Sequence, residues 1–232
     1  MPLSDIDFGK STVPLTGTDA FFLDTNILVA YMYEKHEKHV PCFMLLSYLV
    51  KNEVVLCTSE IVIAELINSL ARVLYIDNKV TEHLHANPTE TRSVKRLENQ
   101  YKSTWGNVIK QQPEVLMKYS ELAIIKAEPL IKQMLLIECN DSIIEEVLIT
   151  MTKIPLASAD AMILNVATNF GCQFIFSIDG DLGICSNIDI ISSTTTNNDY
   201  DINEMMSLFD VKDYLIIELG LDDFNVKFPC VI

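Results

Sequence analysis

Two apolar rhythms run along the chain and assign most of its segments. Phe21, Phe22 and Leu23 form a short unbroken apolar run ending in Asp24, the pattern of a strand buried on both faces. The following segment, TNILVAYMYEKHEKH, has helical apolar spacing and drifts into charge, and Pro41 opens a second helix reaching about Lys51. EVVLC (53–57) is a β-branched run and predicts a second strand, after which Thr58 or Ser59 is placed to cap the helix SEIVIAELINSLARVLY. From about Asp77 to Gln133 the spacing is helical, with breaks near Pro88 and Pro113. MLLIEC (134–139) predicts a third strand, and Ser142 with Glu145 forms a capping box for a helix that ends before Pro155. Ser158 is placed to cap SADAMILNVATNF, which Gly171 terminates; CQFIFSID (172–179) and IDIIS (188–192) then predict a fourth and a fifth strand.

Strands alternating with helices predict an α/β fold, a three-layer sandwich around a central, mostly parallel sheet. Residues 1–192 are expected to form this domain, with a helical insertion at about 78–130. The polar run STTTNND (193–199) begins an acidic C-terminal extension, 193–232, in which INEMMSLFDVKDYLIIELGL has the apolar spacing of one or two docked helices.

The chain has 232 residues, 49% apolar and 21% charged, which is ordinary for a folded globular protein. No apolar run approaches the roughly 18 residues of a spanning helix. The opening MPLSDIDFGK lacks the basic start and apolar stretch of a signal peptide. The expectation is a cytoplasmic protein with no membrane partner. Six scattered cysteines, without a C-x-x-C pair and mostly among apolar neighbours, read as reduced buried thiols. His36/His39 and His83/His85 have metal-ligand spacing, but EKHEKH reads first as a solvated helix end, and no Cys or His cluster completes a zinc site.

The net charge of −15 is unevenly spread. Residues 1–78 carry 10 acids and 5 bases, 79–132 carry 6 acids and 9 bases, and 133–232 carry 16 acids and 3 bases. Basic charge is therefore concentrated in the middle segment, where Arg92, Lys95, Arg96 and Lys102 are candidates to hold a nucleic-acid backbone. On charge alone an ordinary solvated helical surface is the commoner meaning of such a segment.

Asp24 and Asp179 fall at the carboxyl ends of apolar strands, where open parallel sheets bind ligands. Either acid alone is as readily a strand-end turn residue; two together favour a site. Asp160 lies in the first turn of its helix, beside the stripe Ile163, Leu164 and Ala167, so its carboxylate loses hydration unless a cation or donors replace the water. Glu65 is weaker: Ile63, Leu66, Leu70 and Leu74 form the core stripe of its helix, and Glu65 lies on the other side. Four converging carboxylates need cations between them, and all-oxygen ligation suits Mg²⁺ or Mn²⁺. Such a site performs metal-assisted phosphodiester hydrolysis, by activating a water and stabilising the leaving oxygen.

FLDTNILV, SEIVIAELINSL, SADAMILNVATNFG and FIFSIDGDL, in that order across about residues 20–192, resemble the four acidic motifs of PIN domains, the nuclease fold of many toxin–antitoxin ribonucleases. The resemblance implies that Asp24, Glu65, Asp160 and Asp179 are the catalytic, metal-binding acids and that Asp181 is a further acid after the fourth strand. Thr25 and Ser177 match hydroxyl residues flanking the first and last acids, and Asn26 completes the Asp-Thr-Asn run. Toxin-type members are shorter than this chain, Thr is commoner at the position of Ser177, and Leu182 stands where an aromatic is often found. None of these departures removes a ligand.

The function expected is that of a metal-dependent endoribonuclease. Its candidate partners are RNA, an antitoxin protein if the activity serves as a toxin, and a second copy of the chain. The alternative is a PIN-like RNA-binding or protein-interaction module without catalysis, against which the presence of all four acids speaks. An aspartyl phosphatase would need a second Asp two residues after Asp24, where Asn26 stands, and SIDGDLG lacks the third acid and terminal Glu of a calcium loop. A phospho-receiver domain would need paired acids at the first strand and a late Lys, and residues 133–192 offer only Lys153, before a helix.

Overall fold

The computed structural model describes residues 20–51, 54–172, 174–178, 182 and 215–218. Its first strand, β1 (Ala20–Leu23), is followed by α1 (Thr25–Met32) and α2 (His39–Lys51). Then come β2 (Val55–Ser59), the long α3 (Glu60–Ala86), α4 (Val94–Gln111) and α5 (Pro113–Ile131). The chain continues through β3 (Leu135–Ile137), α6 (Asp141–Lys153), α7 (Ser158–Phe170), β4 (Phe174–Ser177) and β5 (Leu215–Glu218). The chain divides into two compact units, one of residues 1–63 with 130–232 and the other of 64–129. Among the described residues no helix is long and apolar enough to cross a membrane.

The first unit carries the sheet, in the order β3-β2-β1-β4-β5. The first four strands are parallel, and β5 pairs antiparallel with β4. All four residues of β1 and of β4 are buried, which requires cover on both faces and explains their unbroken apolar sequence. Phe21 stacks on Phe174 with ring centroids 4.7 Å apart and meets Phe176 at 5.1 Å, so neighbouring strands interlock through aromatic rings. The crossover through α1 and α2 moves from β1 to β2, whereas that through α6 and α7 moves back from β3 to β4, beyond β1. Since such crossovers are right-handed, the two helix pairs cover opposite faces, which gives the expected α/β sandwich.

Several local details differ from the sequence reading. The cap of α6 is Asn140 rather than Ser142: Asn140 Oδ1 accepts from the Ile143 amide at 3.1 Å, and the Ser142 hydroxyl donates to the same oxygen at 2.6 Å. Ser158 is already the first helical residue of α7, and the extended residue before it, Ala157, offers no side-chain cap. Gly171 stops α7 in the left-handed conformation expected of it, with φ 85°. Within the tail expected to be helical, residues 215–218 form a strand; the expected strand at 188–192 lies outside the described residues.

The second unit is helical. Tyr75 of α3 packs against Trp105 of α4 and, edge-on, against Tyr119 of α5, with centroids 5.3 and 5.5 Å away. The α3–α4 connection is closed by Glu90, whose carboxylate accepts from Arg92 Nη2 at 2.6 Å, Arg92 Nε at 3.0 Å and the Arg92 amide at 2.9 Å. His83 Nε2 lies 2.8 Å from the same carboxylate, and His83 Nδ1 lies 3.1 Å from the Tyr101 hydroxyl.

The Arg92 hydrogen bonds, helped by the Arg92 amide and His83, hold Glu90 well below its ordinary pKa of 4.5. A depressed folded-state pKa adds stability that is present above the unfolded value and lost as pH falls below it. The connection should therefore loosen below about pH 4. Amide hydrogen exchange over residues 84–93 is expected to accelerate between pH 6 and pH 3.5, after correction for intrinsic rates, and to change much less in Glu90→Gln. Equal acceleration in both proteins would remove Glu90 as the cause.

Candidate active site

Parallel pairing brings the carboxyl ends of β1, β2 and β4 to one edge of the sheet, with Leu23 opposite Phe176 and Phe22 opposite Cys57. One crossover leaves β1 toward β2 and the later one arrives on the other side, at β4, so the gap between the ends of β1 and β4 is the switch point of the sheet. Ligands of open α/β sheets bind at such points.

Asp24 stands there. It is the N-cap of α1, in extended conformation, and only 6% exposed. Its amide donates to the Phe176 carbonyl at 3.0 Å, continuing the β1–β4 ladder by one residue. Its side chain is surrounded by donors. Oδ1 accepts from the Thr25 amide at 2.6 Å, while Oδ2 accepts from Asn26 Nδ2 at 2.8 Å and from the buried Ser177 hydroxyl at 2.7 Å. The helix N-terminus adds a favourable dipole for the negative charge.

Asn26 ties the corner together. Its Nδ2 also donates to Ser177 Oγ at 2.9 Å, and its Oδ1 accepts from the Ile178 amide at 3.0 Å. One side chain thus spans the first helical turn and the end of β4, which lies 151 residues away in sequence. Thr58, at the end of β2, adds a hydroxyl bond to the Leu23 carbonyl at 3.5 Å. Neither the reach of Asn26 nor the part played by Thr58 is visible in local sequence; the Asp-Thr-Asn run is the one signal that marks Asn26.

Asp160 occupies the first turn of α7, half-buried, with Ile163, Leu164 and Ala167 of its stripe fully buried. This helix is about 20 Å long and leads through the Gly171 turn into the start of β4. It therefore runs back along the sheet, and its first turn returns to the carboxyl edge. Glu65 is half-buried on α3 and belongs to the second unit. Asp179 and Asp181 lie outside the described residues. Asp179 follows directly on Ile178, whose amide Asn26 holds.

The candidate ligands are carboxylates, hard oxygen donors of the kind that divalent cations take. Among the described residues no three His, Cys, Asp or Glu side chains are grouped closely enough to hold an ion by themselves. Three of the four histidines are otherwise engaged. His36 Nδ1 accepts from the Lys38 amide, His39 Nδ1 meets the Ala30 carbonyl, and His83 belongs to the Glu90 cluster. Of the basic candidates, Lys95, Arg96 and Lys102 are exposed on α4, whereas Arg92 shares its guanidinium with Glu90 and with Gln100 at 2.8 Å.

A model of the PIN domain family matches residues 21–184. No curated protein and no solved structure matches the chain. The match spans β1 through β4 and includes both the switch point and the helical unit.

Removing the Asn26 amide deprives Asp24, Ser177 and the Ile178 amide of a partner at once. Asn26→Ala should lower unfolding stability by about 1–3 kcal/mol. Asn26→Asp keeps the shape but sets a second carboxylate against Asp24, and should cost more. Chemical denaturation of the two variants checks the order; an Asn26→Asp protein as stable as wild type would show that the clamp does not constrain Asp24.

Proposed function

Because the chain belongs to the PIN-domain family, whose members are generally metal-requiring nucleases, we propose that it is a metal-dependent endoribonuclease acting through Asp24, Asp160 and Asp179. The observation that carries the reading is Asp24 itself, a buried carboxylate fixed by Asn26 and Ser177 at the switch point of the sheet. A carboxylate used only to cap a helix needs the helix amides. This one is also aligned by two side chains from different elements, as a ligand must be to hold a constant position.

A bound Mg²⁺ or Mn²⁺ would supply an activated water and charge stabilisation for the leaving oxygen. The chain's own part is positioning. Asn26 and Ser177 fix the plane of the Asp24 carboxylate, and burial on the first turn of α7 restricts Asp160. Asp181 is proposed as a further ligand from its place shortly after β4, beside Asp179; Thr25 supports Asp24 through its amide. RNA is the proposed substrate. A small antitoxin protein is the partner expected if the cell uses the activity as a toxin.

Asp24→Asn and Asp160→Asn are close in shape and remove a charged ligand, so each should nearly abolish metal-dependent cleavage of a structured RNA panel; Asp24→Asn also sets an NH2 against the Thr25 or Asn26 amide and should lower stability by about 1–3 kcal/mol. Asp181→Asn should slow cleavage without ending it. Millimolar Mn²⁺ should raise the melting temperature of the wild type, since binding at a hundredfold excess over Kd adds about 2.7 kcal/mol of stability, and should raise that of Asp24→Asn less. Full activity in a folded Asp24→Asn protein would end this reading.

Lys95, Arg96 and Lys102 are proposed to meet the RNA backbone, together with Arg92. Neutralising the three exposed residues should weaken RNA binding and reduce the salt dependence by about 0.7 in log–log slope for each phosphate left without its cation. Arg92→Ala should, in addition, loosen the connection that Glu90 closes. An unchanged slope in the triple variant would leave α4 as scaffold.

A further inference from the structure

The second unit contains a cleft of about 700 Å³ between α3 and α4, a size within the range of small-molecule sites. Its α3 wall includes Tyr75, Lys79 and His83, and its α4 wall includes Tyr101, Asn107 and Gln111. On α4 the last two are one turn apart, so their side chains share a face. Both are exposed helix residues, and neither side chain bonds to another described residue.

The chemistry of the walls narrows the ligand. The cations already have carboxylate partners: Lys79 Nζ lies 2.7 Å from Glu82, and Arg92, behind His83, lies 2.6 Å from Glu90. A phosphate or carboxylate would have to displace an acid already in place. A purely apolar ligand would strip water from the Asn107, Gln111 and Gln112 amides without replacing it. What remains is a planar group with paired donors and acceptors on its edge. Side-chain amides match such an edge in two parallel hydrogen bonds, and aromatic side chains offer a face for stacking unpaired bases. The half-exposed Tyr101, with its hydroxyl held by His83, provides a ring in fixed orientation.

We propose that this cleft binds an unpaired nucleobase, held against the Tyr101 ring and read along its edge by Asn107 and Gln111. The inference rests on the proposed ribonuclease activity only for the source of the base, a single-stranded RNA; the cleft lies wholly within the second unit.

The chain has a built-in reporter. Trp105 is its single tryptophan and packs against Tyr75, a residue of the cleft wall, at 5.3 Å. Binding is followed as quenching of its fluorescence in the full chain, in EDTA so that no cleavage occurs. The probes are the four ribonucleoside 5′-monophosphates, ribose 5-phosphate as the base-free control, and a single-stranded hexaribonucleotide with its duplex. At least one monophosphate and the single strand should quench saturably, ribose 5-phosphate should not, and the duplex should bind more weakly. Asn107→Ala/Gln111→Ala exchanges exposed helix residues for a good helix former and should weaken binding about tenfold. A strand that binds more tightly than any monophosphate identifies RNA as the source, and a monophosphate that binds as tightly identifies a free nucleotide; both uphold base recognition. Quenching by ribose 5-phosphate equal to that by the nucleotides, no saturable quenching, or equal binding by the double variant would each overturn it. Metal-dependent cleavage measured separately keeps the two readings apart: a chain that cleaves RNA without binding bases loses only the cleft, and one that binds bases without cleaving loses only the nuclease.

Discussion

A carboxylate at the end of a strand with no water on either face must find its donors within the protein, and the way Asp24 does so binds the candidate site to the fold. One donor is the first amide of the helix that follows, but two come from Asn26 and from Ser177 at the end of β4. The arrangement requires Leu23 to lie opposite Phe176, as it does. A slip of one residue between these strands would turn Ser177 to the opposite face of the sheet and leave Asn26 without the Ile178 amide. Register, cap and carboxylate geometry are thus a single condition, and the stacked Phe21 and Phe174 rings, one strand apart, hold it from below.

The helical unit answers a different demand. It has its own small aromatic core, and its connection is closed by an ion cluster rather than by apolar packing. That closure takes one of the cations on which the charge of the middle segment depends. A count of Lys and Arg in residues 79–132 therefore overstates the positive surface offered to a ligand, because Arg92 is bound to Glu90 and Lys79 to Glu82.

The sheet strands are legible in sequence because burial on both faces leaves an unmistakable apolar run in FFL and FIFS, and α7 because its stripe and terminal glycine agree with one another. Helix starts are less so. Ser142 and Ser158 satisfy the composition of a cap, but the backbone turns one or two residues earlier, at Asn140 and Ala157. LIIE at 215–218 shares the helical spacing around it, since four apolar-rich residues carry no period of their own and their pairing with β4 is set by a strand some forty residues away. At the candidate site, local sequence marks Asp24 and its neighbours, but the bond from Asn26 to Ser177 is a product of the topology. No pattern in either segment announces it.

The antiparallel β5 has a consequence for how this protein meets other proteins. A sheet edge with free amides and carbonyls invites a strand from elsewhere, whether a partner's or that of an aggregating copy. Here β4 has its outer edge occupied by a segment of its own chain, and the borders among the described strands are β5, four residues long, and β3, three residues long. Neither border offers a long template. Strand addition therefore has only short templates at these two borders, and β5 replaces the edge of the fully buried β4 with a four-residue strand of the same chain.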